Sequence, residues 1–174
     1  MSKYYLIQDQ KKCIGCLSCE VHCKSKNALP IGPRFGQIIS VGPKMVGQVP
    51  KQAFVFMPCF HCEEPWCVPV CPTGAMRKRE GDGIVYVESS LCVGCKSCIT
   101  ACPWGAPQWN PDTGKAAKCD YCMDRVDKGL LPACVAKCVT HCLHFGRADQ
   151  MDITRRERFA RTVAFELETL ISAR

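Results

Sequence analysis

No stretch of this 174-residue chain approaches the roughly 18 consecutive apolar residues that a membrane-crossing helix needs, so direct membrane insertion is not expected. The opening MSKYYLIQDQKKC lacks the charged n-region, apolar run and cleavage site of an export signal, which points to the reducing cytoplasm. There is no phosphate-binding loop, no G-x-G-x-x-G and no Ser–His–Asp arrangement, so no catalytic residue is assigned. Ordinary apolar material is scarce as well. Hydrophobic residues make up 47% of the chain, but 17 of them are cysteine. Without those, about 37% remains, below the usual apolar share. A chain of single-domain size with so little apolar surface closes a core only if something else fills it.

What the chain has instead is cysteine in four groups. Group one is Cys13, Cys16, Cys19 and Cys23; group two is Cys59, Cys62, Cys67 and Cys71; group three is Cys92, Cys95, Cys98 and Cys102; group four is Cys119, Cys122, Cys134 and Cys138. Groups one and three share C-x-x-C-x-x-C-x-x-x-C, and groups two and four stretch the gap before the third cysteine while keeping the final C-x-x-x-C. One unit is therefore used four times. Disulfides explain this poorly: the thiols are bunched where chelating one centre is easier than reaching distant partners, their number is odd, and no export signal is seen. Zinc knuckles use two cysteines per loop and leave the third cysteine and the fourth without a purpose.

An iron–sulfur cube does use them all. Three cysteines at x-x spacing wrap one loop round three irons, and the fourth, usually before Pro, ligates the neighbouring cluster. Cys71-Pro72 and Cys102-Pro103 match that arrangement. Four [4Fe-4S] clusters on sixteen cysteines are expected. The formal charge of +7 fits such a load, because four cubes with their thiolates carry about −8 and bring the total to about −1. The surplus of Lys and Arg then compensates buried cluster charge, and nucleic acid is not expected as a partner. Cys142 lies outside the pattern and reads as a packed thiol. His22, His61, His141 and His144 sit near ligands, where packing or a hydrogen bond to cluster sulfur suits them better than iron ligation. Phe60, Trp66, Trp104, Tyr121 and Phe145 read as packing that excludes water.

Between the groups, Tyr4–Ile7, Gln37–Val41, Ala53–Met57 and Ile84–Val87 read as short strands. Met76–Lys78 and Ile84–Val87 flank the turn Glu80-Gly81-Asp82-Gly83, and Asn110-Pro111-Asp112-Thr113-Gly114 marks a second turn. Leu29–Pro50, rich in Pro and Gly, reads as an exposed connection. Short helices are expected after the third cysteine of each group, as in Ser97–Cys102. Residues 1–150 form the cluster-bearing domain and 151–174 a terminal helix. That helix is expected to start from a capping box at Thr154-Arg155-Arg156-Glu157. Phe159, Val163, Leu167 and Leu170 recur at helical spacing beside Ala160, Ala164 and Ile171. Its apolar stripe would cover the domain's own surface or dock on another subunit or a second copy, with Arg155, Arg156, Arg158 and Arg161 as the solvated rim.

The phrases CIGCLSCEVHCK, PCFHCEEPWCVPVCPTGAM, LCVGCKSCITACPWGAPQWN and KCDYCMDRVDKGLLPACVAKC resemble the four-cluster iron–sulfur subunits of molybdenum or tungsten pterin oxidoreductases, over roughly residues 4–146. The resemblance implies an α+β fold of tandem, pseudo-twofold bacterial ferredoxin-like halves, loop-rich with short hairpins, plus a C-terminal amphipathic helix. It also implies crossed pairing of groups one with four and two with three. Cluster A then takes Cys13, Cys16, Cys19 and Cys138; cluster B takes Cys119, Cys122, Cys134 and Cys23. Cluster C takes Cys59, Cys62, Cys67 and Cys102; cluster D takes Cys92, Cys95, Cys98 and Cys71. Some relatives have Trp in place of the third cysteine of group three and hold a three-iron cluster, but Cys98 is present here. Val139 stands where relatives usually have Pro. Relatives in respiratory membrane complexes often carry a C-terminal extension, so the short terminal helix places this chain with soluble complexes. The compact size is similar to the small subunit of tungsten-dependent aldehyde oxidoreductases. The implied partners are a large tungsten- or molybdenum-pterin catalytic subunit and a flavin subunit. The alternatives are a soluble formate dehydrogenase or other molybdopterin oxidoreductase, and a freestanding polyferredoxin carrier.

Overall fold

Tyr4–Gln8 forms β1, which pairs antiparallel with β8, Leu143–Arg147, placing Tyr4 opposite Arg147 and Gln8 opposite Leu143. The first and last strands thus tie together the two ends of the cysteine-bearing region. The computed structural model describes residues 4–172, with side chains throughout except those of Thr154, Arg158, Thr162 and 165–172.

Three antiparallel hairpins lie between β1 and β8. The longest joins β2, Gln37–Val46, to β3, Val49–Met57. The expected strands at 37–41 and 53–57 are its inner ends. The expected connection at Leu29–Pro50 is therefore largely strand, although residues 39–50 are exposed as anticipated. Gly42-Pro43 hides the continuation: the register shifts between Val41 and Lys44, and Gly42, at φ +112°, has the Lys51 carbonyl 2.9 Å from where a Cβ would stand. The Gln8 side chain fastens this hairpin to β1, donating from Nε2 to the Phe54 carbonyl at 2.9 Å and accepting the Phe56 N–H at 2.8 Å.

β4, Met76–Lys78, pairs with β5, Val85–Val87, through the expected turn, where the Gly83 N–H donates to the Arg79 carbonyl at 2.8 Å. β6, Gln108–Asn110, pairs with β7, Lys115–Ala117. Their turn is closed by the Asn110 side-chain oxygen, which accepts the Asp112 N–H at 3.0 Å. Arg79 binds Asp82 on its own turn and reaches Asp127 at 2.8 Å, joining the β4–β5 hairpin to group four.

Helices α1, Ser18–Lys26, and α2, Ser97–Ala101, begin one residue before the third cysteine of groups one and three. In group four, α3, Met123–Val126, follows Cys122, and α4, Ala133–Ala136, carries Cys134 and packs against α1. Group two departs from expectation. It has turns instead of a helix after Cys67, because Pro69 offers no N–H to a helical ladder.

α5, Ala148–Ser172, starts six residues before the expected capping box, directly after β8, so Thr154 lies inside it. Its first turns pack on the domain, with Met151 turned inward. Met151 is buried, whereas Ile153, Phe159 and Val163 are exposed, so the helix does not cover the domain's own surface with its Phe159–Val163 stripe. The side chains of Arg158, Leu167, Leu170 and Ile171 lie outside the described residues. Among the described residues, no helix is long and apolar enough to cross a membrane.

Two cores result. One gathers Cys19, Cys134, Cys138 and Cys142 with Phe56, Val135 and Leu143; the other gathers Cys67 and Cys98 with Met76, Val85 and Ala116. Cysteine has taken the place of aliphatic side chains in both.

Candidate metal centres

Each C-x-x-C loop must curl so that its thiols face one point, and one backbone feature achieves this in all four groups. The residue before the second cysteine is left-handed every time: Gly15 at φ +67°, His61 at +47°, Gly94 at +73° and Tyr121 at +55°. Glycine adopts this conformation freely and has a second reason to be there in two of the loops. A Cβ at Gly15 would stand 2.5 Å from the Phe54 ring, and one at Gly94 would stand 2.6 Å from the Gly114 carbonyl.

The curled loops draw together cysteines far apart in sequence. Cys59, Cys62 and Cys67 line a cavity of about 250 Å³ with Cys102 of group three. Cys92, Cys95 and Cys98 line a second with Cys71 of group two, and Cys13, Cys16 and Cys19 line a third with Cys138 of group four. Cys23, Cys119, Cys122 and Cys134 are linked electrostatically: Cys134 lies in the field of Cys23 and Cys122, and Cys119 in that of Cys134. Among the described residues, no three His, Cys, Asp or Glu side chains converge as ligands of a single ion; the thiols stand round cavities instead.

The electrostatics of these cavities call for a cationic guest. Burial, reinforced by the charges of Glu20, Cys138 and Cys13, pushes the Cys19 thiol up to about 12. Burial, with Cys122 next, pushes Cys23 up to about 11. Burial also pushes Cys67 up to about 11, Cys59 and Cys102 adding to it while Lys118 opposes it. Burial, then Cys71, Cys92 and Cys95, raises Cys98. Such thiols ionise together only with positive iron between them, since a coordinating thiol is deprotonated outright. The donor set of four soft sulfurs per cavity thus fits an iron–sulfur cube.

Two of the fourth cysteines, Cys71 and Cys138, are prepared differently. Against its burial, the Met76 N–H, the Thr73 hydroxyl and N–H and the Ala75 N–H hold Cys71 below its ordinary value. Against burial again, the Leu143 N–H, the Cys142 thiol and N–H and the Thr140 hydroxyl do the same for Cys138. Thr73 and Thr140 each stand two residues after the fourth cysteine, a repeat visible in the sequence that spacing arguments passed over. Cys142 is buried with its sulfur 3.4 Å from that of Cys138, on the rim of the third cavity, in line with the packed thiol expected.

Other expectations divide. Tyr121 is buried and Phe145 half-buried, but Phe60, Trp66 and Trp104 are about half exposed, at the mouth of the cavity lined by Cys59, Cys62, Cys67 and Cys102. They rim the site, with Phe60 and Trp104 edge to face at 5.4 Å, and do not seal it. His22 and His141 are exposed, His144 is half-buried and His61 is buried. Burial, with the Lys118 cation next, holds His61 well below its ordinary value. Lys118 was missed. This buried lysine donates to the Val85 carbonyl and lines the cavity of Cys59, Cys62, Cys67 and Cys102, a positive charge beside four thiols. Its position directly before Cys119 was the only signal in the sequence.

Two family profiles, both described as 4Fe-4S dicluster domain, match residues 12–75 and 51–148. The chain is similar to the thiosulfate reductase electron transfer subunit PhsB of Salmonella typhi, 43% identical over 156 residues, covering 88% of this chain and 81% of that one. It is 40% identical over 157 residues to one of the polypeptides of the anaerobic dimethyl sulfoxide reductase of Escherichia coli (strain K12), covering 86% of this chain and 76% of that one. One of the subunits of the tetrathionate reductase of Salmonella typhimurium (strain LT2) is 42% identical over 139 residues, covering 79% of this chain and 55% of that one. Two dicluster matches imply four [4Fe-4S] clusters. The repeated thiol loops, their cationic-guest electrostatics and these likenesses agree: this protein belongs to the 4Fe-4S dicluster family of iron–sulfur electron-transfer proteins.

Proposed function

We propose that this chain is the electron-relay subunit of a larger oxidoreductase and holds four cubes on sixteen cysteines in crossed sets. Cluster A sits on Cys13, Cys16, Cys19 and Cys138, and B on Cys119, Cys122, Cys134 and Cys23. Cluster C sits on Cys59, Cys62, Cys67 and Cys102, and D on Cys92, Cys95, Cys98 and Cys71. The observation that carries this reading is that three cavities are each lined by three cysteines of one group and the fourth cysteine of its partner group. The two ferredoxin-like halves are then A with B and C with D. Neighbouring thiols order the relay. Cys19 lies near Cys134, linking A to B, and Cys59 lies near Cys119, linking B to C. C and D exchange Cys71 and Cys102. Cys16 and Cys95 are exposed, so the end clusters A and D come nearest to solvent and to partners.

The clusters supply reversible one-electron carriers, and the chain's own residues hold and insulate them and add no substrate chemistry. All 17 cysteines are free of disulfides, which suits a reducing compartment such as the cytoplasm. Ile153, Phe159 and Val163 on α5 are the surface for self-association. The catalytic partner is a large molybdenum- or tungsten-pterin subunit. The relatives' names favour a reductase of thiosulfate, sulfoxide or tetrathionate type. Aldehyde oxidation with a flavin subunit is the second reading, carried by the resemblance of the cysteine motifs alone.

Anaerobic purification from native cells, with metal analysis and dye-coupled assays, tests the partner. A large molybdenum- or tungsten-containing subunit is expected to co-purify. Thiosulfate, dimethyl sulfoxide or tetrathionate should oxidise reduced viologen in that complex; aldehyde-dependent dye reduction would instead identify the aldehyde-oxidising partner. A monodisperse 19.3 kDa monomer would overturn the subunit reading in favour of a free carrier.

A further inference from the structure

His61 occupies the left-handed position of its C-x-x-C loop that groups one and three fill with glycine, yet it carries a whole imidazole into the interior. It is 1% exposed, and its ring lies against that of Tyr121, the corresponding residue of group four, with centroids 3.7 Å apart. Tyr121 is itself buried, in the field of Cys119, Cys59, Cys134 and Cys62. The two rings therefore fill the seam between the group-two and group-four loops.

The proton on the ring is placed by geometry. Nδ1 accepts the Val85 N–H at 2.9 Å, so it carries no hydrogen, and the neutral imidazole bears its hydrogen on Nε2. That Nε2 is buried, and no protein atom among the described residues accepts from it. A buried N–H donor is costly unless it is hydrogen-bonded, and the loops on either side of the stacked rings carry the ligand cysteines Cys59, Cys62, Cys119 and Cys122. We propose that the His61 Nε2–H donates a hydrogen bond to a sulfur of one of the two clusters meeting at this seam, B or C, making His61 a potential-setting residue in the middle of the relay. The inference rests on the four-cluster reading above. A donor to cluster sulfur stabilises the more negative, reduced state, and such hydrogen bonds are among the factors that set cluster potentials.

The test uses the full chain, purified anaerobically with ¹⁵N-labelled histidine rings. Pulsed EPR of the partly reduced protein should show a ¹⁵N coupling to one reduced cluster, together with an exchangeable proton coupling lost in D₂O. In His61→Phe both couplings should vanish, and redox titration should find one of four centres about tenfold harder to reduce, about 59 mV for one electron. His61→Gln, which keeps an N–H donor, should recover part of that shift. A wild-type protein with four reducible clusters and no histidine coupling overturns the inference and leaves the relay reading standing, even if His61→Phe fails to fold. Fewer than four clusters would overturn the relay reading and this inference with it.

Discussion

Stripping iron from the anaerobically purified chain with a chelator will unfold it, with loss of both hairpin and helix signals in far-UV circular dichroism. The expectation follows from what the cores are made of. Four of the seven buried residues in one core and two of the five in the other are cysteines. Among the described residues every sheet has two strands, and isolated two-stranded hairpins are marginal at best in water. Helices α1 to α4 span nine residues or fewer each. Ties such as Gln8 to β3 and Arg79 to Asp127 join elements that have little apolar surface of their own. Structural metal sites contribute on the order of 10 kcal/mol to folding, comparable to the whole stability of an ordinary domain. Four centres must therefore carry more than the polypeptide can supply. An iron-free chain that kept a cooperative thermal transition would show that the aliphatic core suffices.

Cys102→Ala should remove the cluster of group two and leave that of group three in place. By sequence, Cys102 ends group three, but it lines the cavity of Cys59, Cys62 and Cys67. The group-three loop, Cys92, Cys95 and Cys98, faces Cys71 instead. Iron should fall by a quarter, from about sixteen to about twelve per chain, because each cube holds four. Cys98→Ala should lose the same amount of iron but a different EPR signal. Electron flow from end to end should stop in both, since each breaks the relay inside the C–D half. If the two variants lost the same signal, the crossed pairing would be wrong and each group would hold its own cluster.

The four thiol groups and the turns at 80–83 and 110–114 were legible because each is a local pattern whose geometry follows from a few neighbouring residues. The paths between them were not. β2 runs past Gly42-Pro43 only because a register shift absorbs the interruption, and the partner residues that permit it, Lys51 and Ala53, lie beyond the hairpin turn. β8 is five residues, Leu143–Arg147, that become a strand by pairing with β1 at the far end of the chain. The capping box at Thr154 was a plausible local signal overridden by α5 continuing directly from β8. Trp66 and Trp104 read as packing because aromatic rings usually bury, yet they stand at a cavity mouth where exposure depends on tertiary placement. Lys118 was hidden for the opposite reason: a lysine is expected at the surface, and only the assembled thiol cavity explains a buried one.

The central claim is the number and kind of the clusters. Iron and acid-labile sulfide, measured with Mössbauer spectra on the same anaerobic sample, test it most directly. About sixteen of each per chain are predicted, with every iron in a cube. About eight of each, a three-iron component, or stoichiometric zinc in place of iron would contradict it.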